Sequence, residues 1–224
     1  MSIRDMLSQS VEDYLKAIYT LQSESSVSTS RLAERLGVSA ASVTNMVKRL
    51  SGLGLLTYAS YRGVKLTEAG EKIALEIIRH HRLLETYLRE IMGYDWDEMH
   101  DEAEHLEHHI SEEFENKLDR MLGYPTHDPH GDPIPTREGV MVTIDSEPLA
   151  DCPVGIPLKI RRVMDTDTAV LKSLEELSLL PGAVLTIVEK REDAISVLMN
   201  SDDAPVDLNP TLASYLFAST DKVE

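Results

Sequence analysis

RLAERLGVSAASVTNMVKRL, Arg31 to Leu50, decides the fold. Its first part completes a short helix running from Ser28 to Leu36, and Gly37-Val38-Ser39 is a compact turn in which the glycine stops one helix and the serine can cap the next. Ala40 to Leu53 then reads as a helix with Val43, Met46, Val47 and Leu50 facing inward. Upstream, VEDYLKAIYTL (Val11 to Leu21) sets Leu15, Ile18, Tyr19 and Leu21 near one stripe, a further amphipathic helix. Downstream of Gly54, LLTYASYRGVKLT alternates as two strands with Arg62-Gly63 at the hairpin tip. Three helices and a hairpin make a winged helix-turn-helix, whose second motif helix enters the major groove of DNA. On that helix Ser39, Ser42, Thr44 and Asn45 are the expected readers of base edges, Asn45 by pairing with adenine. Lys48 and Arg49, with Arg62 and Lys65 on the wing, are the expected phosphate contacts.

The overall charge of −17 runs against a nucleic-acid partner until its distribution is considered. Residues 1–72 carry nine Lys/Arg against seven Asp/Glu, a net of +2, which leaves −19 for the remainder. The acidity therefore lies outside the expected DNA module, where an excess of carboxylates is ordinarily a solvated surface. With 224 residues, 42% of them hydrophobic, the chain can bury a core in two or three units. The lone cysteine, Cys152, excludes an internal disulfide framework and an all-thiolate zinc site. The start, MSIRDMLSQSVEDYL, has no apolar signal region, and no apolar run approaches the roughly 20 residues that span a bilayer. A cytoplasmic protein with no membrane partner is expected.

Thr67 is the expected cap for a long helix through Met92, with Ile73, Ile77, Leu84, Leu88 and Ile91 on its buried side. Two more helices come after it, near Asp95 to Ile110 and Ser111 to Leu122. Long apolar-faced helices with little else to cover them pair with a second copy, so this segment is the expected dimerisation region. Prolines and glycines between Gly123 and Pro157 mark a linker. From Val154 to Glu224 the runs LKIRRV, AVLTIVEK and ISVLM predict a small β-barrel. The fold class is thus mainly α with a small β domain: residues 1–72 for DNA binding, 73–140 for dimerisation and metal, 150–224 for the barrel.

All eight histidines lie between His80 and His130, interleaved with carboxylates. Glu104, Glu107 and His108 stand at i, i+3 and i+4, so a helix stacks them on one face toward a single cation, to be completed by a carboxylate from elsewhere. His81 and Glu85, also i and i+4, form a second nest with His100. His80, His105 and His109 point away in this register and read as surface residues. Oxygen and imidazole donors suit manganese, iron or zinc, and the absence of sulfur with so many oxygens favours the harder manganese. The bland reading is an acidic helix surface with histidines that bind nothing. The string is not the HExxH of a zinc peptidase, and no separate general base stands beside it, so a metal hydrolase ranks low and no enzyme or small organic substrate is expected.

VEDYLKAIY, RLAERLGVSAASVTNMVKRL, RHHRLLETYL and MHDEAEHLEHHIS together resemble the diphtheria-toxin-repressor family of metal-dependent transcriptional regulators, over essentially the whole chain. The resemblance implies an SH3-like barrel of the FeoA type at the C-terminus. It also implies a primary metal site on Asp13, Glu104, Glu107 and His108. Iron-responsive members carry methionine at the position of Asp13 and cysteine at that of Glu104, so this chain looks like the manganese-responsive branch, with cobalt, cadmium or zinc able to substitute and iron(II) the rival. The implied ancillary site falls on His81, Glu85 and His100. Asp128 and His130, in DPHG where some relatives have CPHG, extend it, and Asp167 is the chosen barrel carboxylate with Asp165 competing. Minimal members have a carboxylate where this chain has Lys16, which argues against a binuclear primary cluster.

The function so implied is a metal-activated repressor of metal-uptake genes, a homodimer presenting two recognition helices to a palindromic operator. Without metal, Asp13, Glu104 and Glu107 are expected to repel one another, and a dication to bridge them. The rivals are an iron-activated repressor of this fold and a winged-helix regulator sensing an organic ligand.

Overall fold

The apolar spacing of Val11 to Leu21 forms α1 (Gln9–Leu21) in a computed structural model that describes residues 7–22, 26–59, 63–96, 98–199 and 204–220. Ser28 Oγ accepts the Arg31 amide hydrogen to start α2 (Thr29–Leu36), and Gly37 ends it in the left-handed region at φ +63°, which a glycine adopts without a Cβ penalty. Ser39 Oγ accepts from the Ser42 amide to start α3 (Ala40–Gly52), as the sequence predicts. The wing is the antiparallel pair β1 (Leu56–Ala59) and β2 (Gly63–Leu66), in the register Leu56↔Leu66. Thr67 Oγ1 accepts from the Gly70 amide at the start of α4 (Glu68–Tyr87). A Cβ on Gly70 would fall 2.0 Å from the Leu55 carbonyl oxygen, so only glycine lets this turn of α4 lie against the chain that leads into the wing.

The described chain packs as two compact units. The first comprises Met1–His81, Glu104–Glu115 and Pro135–Met141. Its core gathers Val11, Leu15 and Ile18 of α1, Leu32 of α2, Val43, Val47 and Leu50 of α3, Leu56 and Val64 of the wing and Ile77 of α4. Each fully buried Leu or Ile contributes roughly 1.5–3 kcal/mol to holding these helices and the wing together. Met46, expected inside, is half-buried at the margin of this core.

The second unit comprises Arg82–Ala103, Asn116–Ile134 and Val142–Glu224. Here α4 passes into a π-helical turn, Leu88–Met92, closed by Gly93 at φ +74°. The wider turn shifts the helical phase of its residues, and Ile91, assigned by period to the buried side, is 55% exposed. α5 (Met99–Leu106) and α6 (Glu112–Met121) are shorter than the two helices expected there. The segment read as a linker is in part an ordered, buried strap, with Asp128, His130 and Ile134 all inside.

The β part is a six-stranded antiparallel sheet in the order β3-β8-β4-β5-β6-β7. Its strands are β3 (Glu147–Pro148), β4 (Pro157–Val163), β5 (Val184–Lys190), β6 (Ile195–Leu198), β7 (Val206–Leu208) and β8 (Leu216–Ser219). Leu158, Ile160 and Val163 of β4 are fully buried, on a strand with a bulge between Ile160 and Arg162. α7 (Thr168–Glu176) buries Leu171 and Leu174, and α8 (Pro210–Ser214) joins β7 to β8.

Candidate metal centres and nucleic-acid interface

In the first unit, the turn at residues 107–109 that ends α5 meets α1. His108 Nε2 lies 2.9 Å from Asp13 Oδ1 and 3.4 Å from Glu107 Oε1. The ligand atoms of Asp13, Glu107 and His108 all fall within 4.8 Å of one another. Yet His108 Nε2 is buried with no aligned hydrogen-bond partner, although Asp13 is so close. The other ring nitrogen, Nδ1, is 2.6 Å from Oε2 of Glu12, a buried carboxylate that the sequence reading passed over. Burial works against a charged imidazole here, but the contacts with Asp13 and Glu12 and the charge of Glu107 outweigh it, and the His108 pKa is raised to about 9.

Glu104 is placed differently from Asp13. Its Oε1 accepts from Lys16 Nζ at 2.7 Å, and the same ammonium donates to both oxygens of Glu107 at 3.0 and 2.8 Å. His81, read as part of the second nest, has its Nδ1 2.6 Å from Glu107 Oε2 and 3.3 Å from Lys16 Nζ. Burial opposes the charge on Lys16, the carboxylates of Glu107 and Glu104 outweigh burial, and its pKa is raised. The expected repulsion between bare Glu104 and Glu107 is therefore corrected: a lysine one helical turn beyond Asp13 lies between them.

His80, expected on the surface, lies in the interior. It is fully buried, with Nε2 3.2 Å from Glu115 Oε2 and Nδ1 3.3 Å from the Glu107 carbonyl oxygen. Arg79 Nε donates to the other Glu115 oxygen at 2.6 Å. Burial raises the Glu115 pKa, His80 and Arg79 lower it more, and it settles at about 2. His105 and His109 are exposed, in keeping with the sequence reading.

In the second unit, Glu85, Asp128 and His130 form a buried cluster, and Glu85 also groups with His100 and Asp165. Glu85 Oε1 is 3.0 Å from His100 Nδ1, and Asp165 Oδ2 is 4.0 Å from the same nitrogen. His130 lies under the Trp96 ring, with ring centroids 5.0 Å apart, and neither of its ring nitrogens has a hydrogen-bond partner. Glu85 Oε2, at 3.9 Å from Nδ1, is beyond hydrogen-bond reach. Burial, with the charges of Glu85 and Asp132, pushes the Asp128 pKa up to about 8 against the pull of Arg82 and His130. Gly131, at φ +86°, lets the strap lie on β4, since a Cβ there would fall 2.0 Å from the Arg161 carbonyl oxygen. The choice of Asp167 is corrected: its carboxylate caps α7, accepting from the Ala169 and Val170 amides, and Asp165 is the carboxylate at the cluster. Asp167 directly before an apolar-faced helix carries an N-cap signature that the sequence already held.

Both clusters fit a divalent cation. Their donors are oxygen and imidazole without sulfur, and each contains a buried histidine nitrogen left without a partner, which an ion would satisfy.

On α3, Ser42, Asn45, Lys48 and Arg49 are exposed along one side, and Thr44 is half-buried with its hydroxyl donating to the Ala40 carbonyl. Ser39 is engaged as the cap, its hydroxyl also 3.0 Å from that of Ser42. Lys65 is exposed on the wing, while Arg62 lies outside the described residues.

Residues 6–64 match the model of the iron dependent repressor N-terminal DNA binding domain, residues 67–136 that of the iron dependent repressor metal binding and dimerisation domain, and residues 147–219 the FeoA domain. The iron-dependent repressor IdeR of Mycobacterium tuberculosis (strain ATCC 25618 / H37Rv) is 34% identical over 196 residues, covering 81% of this chain and 84% of the relative. Among solved structures, a manganese-dependent transcriptional repressor in complex with manganese is similar at a TM-score of 0.87 and 39% identity, covering 94% of this chain and 99% of that one. ScaR with bound Zn2+ is similar at a TM-score of 0.77 and 29% identity, covering 94% and 99%.

Proposed function

The chain belongs to the iron-dependent repressor family of metal-dependent transcriptional regulators, and on that premise we propose that manganese is the ion that switches it on. It is a DNA-binding repressor and not an enzyme. The observation that carries the manganese reading is the donor set of Asp13, Glu107 and His108, oxygen and imidazole within 4.8 Å of one another, with no methionine or cysteine among them. A divalent cation supplies two positive charges to this set. Glu104 completes it when Lys16 gives way, and Glu85, Asp128, His130 and Asp165, with His100 beside them, form the second site. Iron(II) is the competing ion, and zinc, cadmium or cobalt are substitutes.

The switch lies in α1. Asp13 sits on one face of this helix, while Val11, Leu15 and Ile18 on another lock it into the core of the DNA-binding helices. An arrangement that closes Asp13 onto Glu107 and His108 therefore fixes the helix against which α2, α3 and the wing are packed. Metal favours that arrangement, and by linkage operator DNA must tighten metal binding by the same factor, typically about 1–3 kcal/mol. Ser42 and Asn45 then read bases, with Lys48, Arg49, Lys65 and Arg62 on phosphates, in a homodimer on a palindromic operator that controls metal-uptake genes in the cytoplasm. The working division is 1–72 for DNA, 73–140 for dimerisation and metal, and 150–224 for the FeoA-like domain.

The test is operator binding by anisotropy at buffered free manganese and at buffered anaerobic iron(II), for the wild type, Asp13→Ala and His108→Ala. Manganese-dependent binding that both substitutions abolish is expected. Binding indifferent to chelation, or activated by iron alone, overturns the reading.

A further inference from the structure

Glu12 and Asp13 are neighbours on α1, yet both reach the ring of His108, one at each nitrogen. Glu12 is 4% exposed, on a face of α1 it shares with Val11 and Leu15, where a carboxylate without a partner carries a large desolvation cost. Its partner is Nδ1 of His108, at 2.6 Å. A carboxylate at that distance needs a proton on Nδ1, because a bare ring nitrogen would set lone pair against lone pair. Nε2, facing Asp13 at 2.9 Å and Glu107 at 3.4 Å, is then the nitrogen that gives up its proton when an ion takes its place.

We propose that Glu12 is the positioning residue of the primary centre: it accepts the Nδ1 hydrogen of His108, fixes the ring's tautomer and orientation, and presents Nε2 to the cation. This rests on the metal centre described above and adds a residue outside the ligand set. A carboxylate behind a ligating imidazole raises its basicity and holds its plane, and loss of such a partner typically costs 10–100-fold in metal affinity. It also gives α1 two holds on one ring, so the ring is registered against the DNA-binding core before an ion arrives. A cleft of about 460 Å³ whose lining includes Leu7, Gln9, Glu12 and His108 runs beside the pair.

The test uses the full chain labelled with 15N-histidine and loaded with zinc as a diamagnetic probe, with long-range 1H–15N spectra reporting the tautomer of His108. Manganese affinity is measured in parallel by electron paramagnetic resonance. The wild type should show a protonated Nδ1 and a zinc-bound Nε2. Glu12→Gln, whose amide oxygen still accepts the hydrogen bond, should keep that tautomer and bind manganese about tenfold more weakly. Glu12→Ala should leave the Nδ1 proton of the zinc-bound ring without its carboxylate acceptor, so that this proton exchanges faster with water, and should bind manganese up to about 100-fold more weakly. Wild-type affinity in both variants, or an Nδ1 proton in Glu12→Ala that exchanges as slowly as in the wild type, overturns the proposal. If Glu12→Ala does not fold, Glu12→Gln decides it by affinity alone, with wild-type affinity counting against. His108→Ala separates the two readings: manganese binding unchanged in that variant refutes the centre itself, whatever Glu12 does.

Discussion

Manganese binding should strengthen with pH across the neutral range, and His108 sets the slope. Burial disfavours the charged ring, but the contacts with Asp13 and Glu12 and the charge of Glu107 prevail, so the metal-free protein holds a proton there up to about pH 9. An ion can use Nε2 only when that nitrogen is bare, so each ion bound below pH 9 displaces one proton. Apparent affinity should then rise about tenfold per pH unit, and at pH 7 lie roughly 100-fold, or about 3 kcal/mol, below its limit. Competition with a manganese chelator at pH 6.5, 7.5 and 8.5 gives the slope, and calorimetry in buffers of different ionisation enthalpy counts the protons. Stability of the metal-free protein should move the other way. A folded pKa raised above the ordinary value of 6.5 stabilises fully below about 6.5, and that stabilisation is lost as pH climbs through about 9. A dissociation constant that does not change between pH 6.5 and 8.5, with no proton released, refutes this account of His108.

Three further outcomes are expected. Glu115→Gln leaves Arg79 and His80 buried without their carboxylate and should cost about 3 kcal/mol in urea unfolding. The Glu115 contribution, from a pKa lowered to about 2, is present above its ordinary 4.5 and fades as pH falls toward 2, so wild type and variant should converge at acid pH; equal stability at pH 7 would contradict the buried pairing. On DNA, Asn45→Ala should lose about 1–3 kcal/mol on a duplex selected from a random pool, whereas Lys48→Ala should weaken all sequences alike and reduce the salt slope by about one; a sequence-selective loss in Lys48→Ala would reverse the assignment. Gly131→Ala drives a Cβ into the Arg161 carbonyl oxygen and should lower the manganese count per chain from two to one by mass spectrometry under native conditions, with two ions retained as the adverse result.

The DNA-binding core was legible because its determinants are local. Ser28, Gly37 and Ser39 mark helix ends by chemistry acting within four residues, and the stripe of Val43, Val47 and Leu50 is periodic. Where readings failed, the deciding partner was remote or the period changed. His80 and His81 are adjacent, and the groups that hold His80 in the interior, the Glu107 carbonyl and the Glu115 carboxylate, come 27 and 35 residues later. The π-helical turn at Leu88–Met92 breaks the 3.6-residue count on which Ile91 was assigned. In VED, Asp13 matched a ligand pattern while Glu12 carried no pattern of its own, since its role appears only when His108 folds onto it. Asp165 and Asp167 could have been separated in advance, because a carboxylate directly before an apolar-faced helix is first of all a cap.

Lys16 gives the primary centre a cation supplied by the chain itself. With its ammonium lodged among Glu104, Glu107 and His81, an ion that takes Glu104 and Glu107 as ligands must displace this lysine, so binding there is an exchange of cations. An ammonium held this way offsets part of the carboxylate charge from within the chain. The same tenancy sets the threshold of the response, because an arriving ion must outcompete a charge the chain always carries with it.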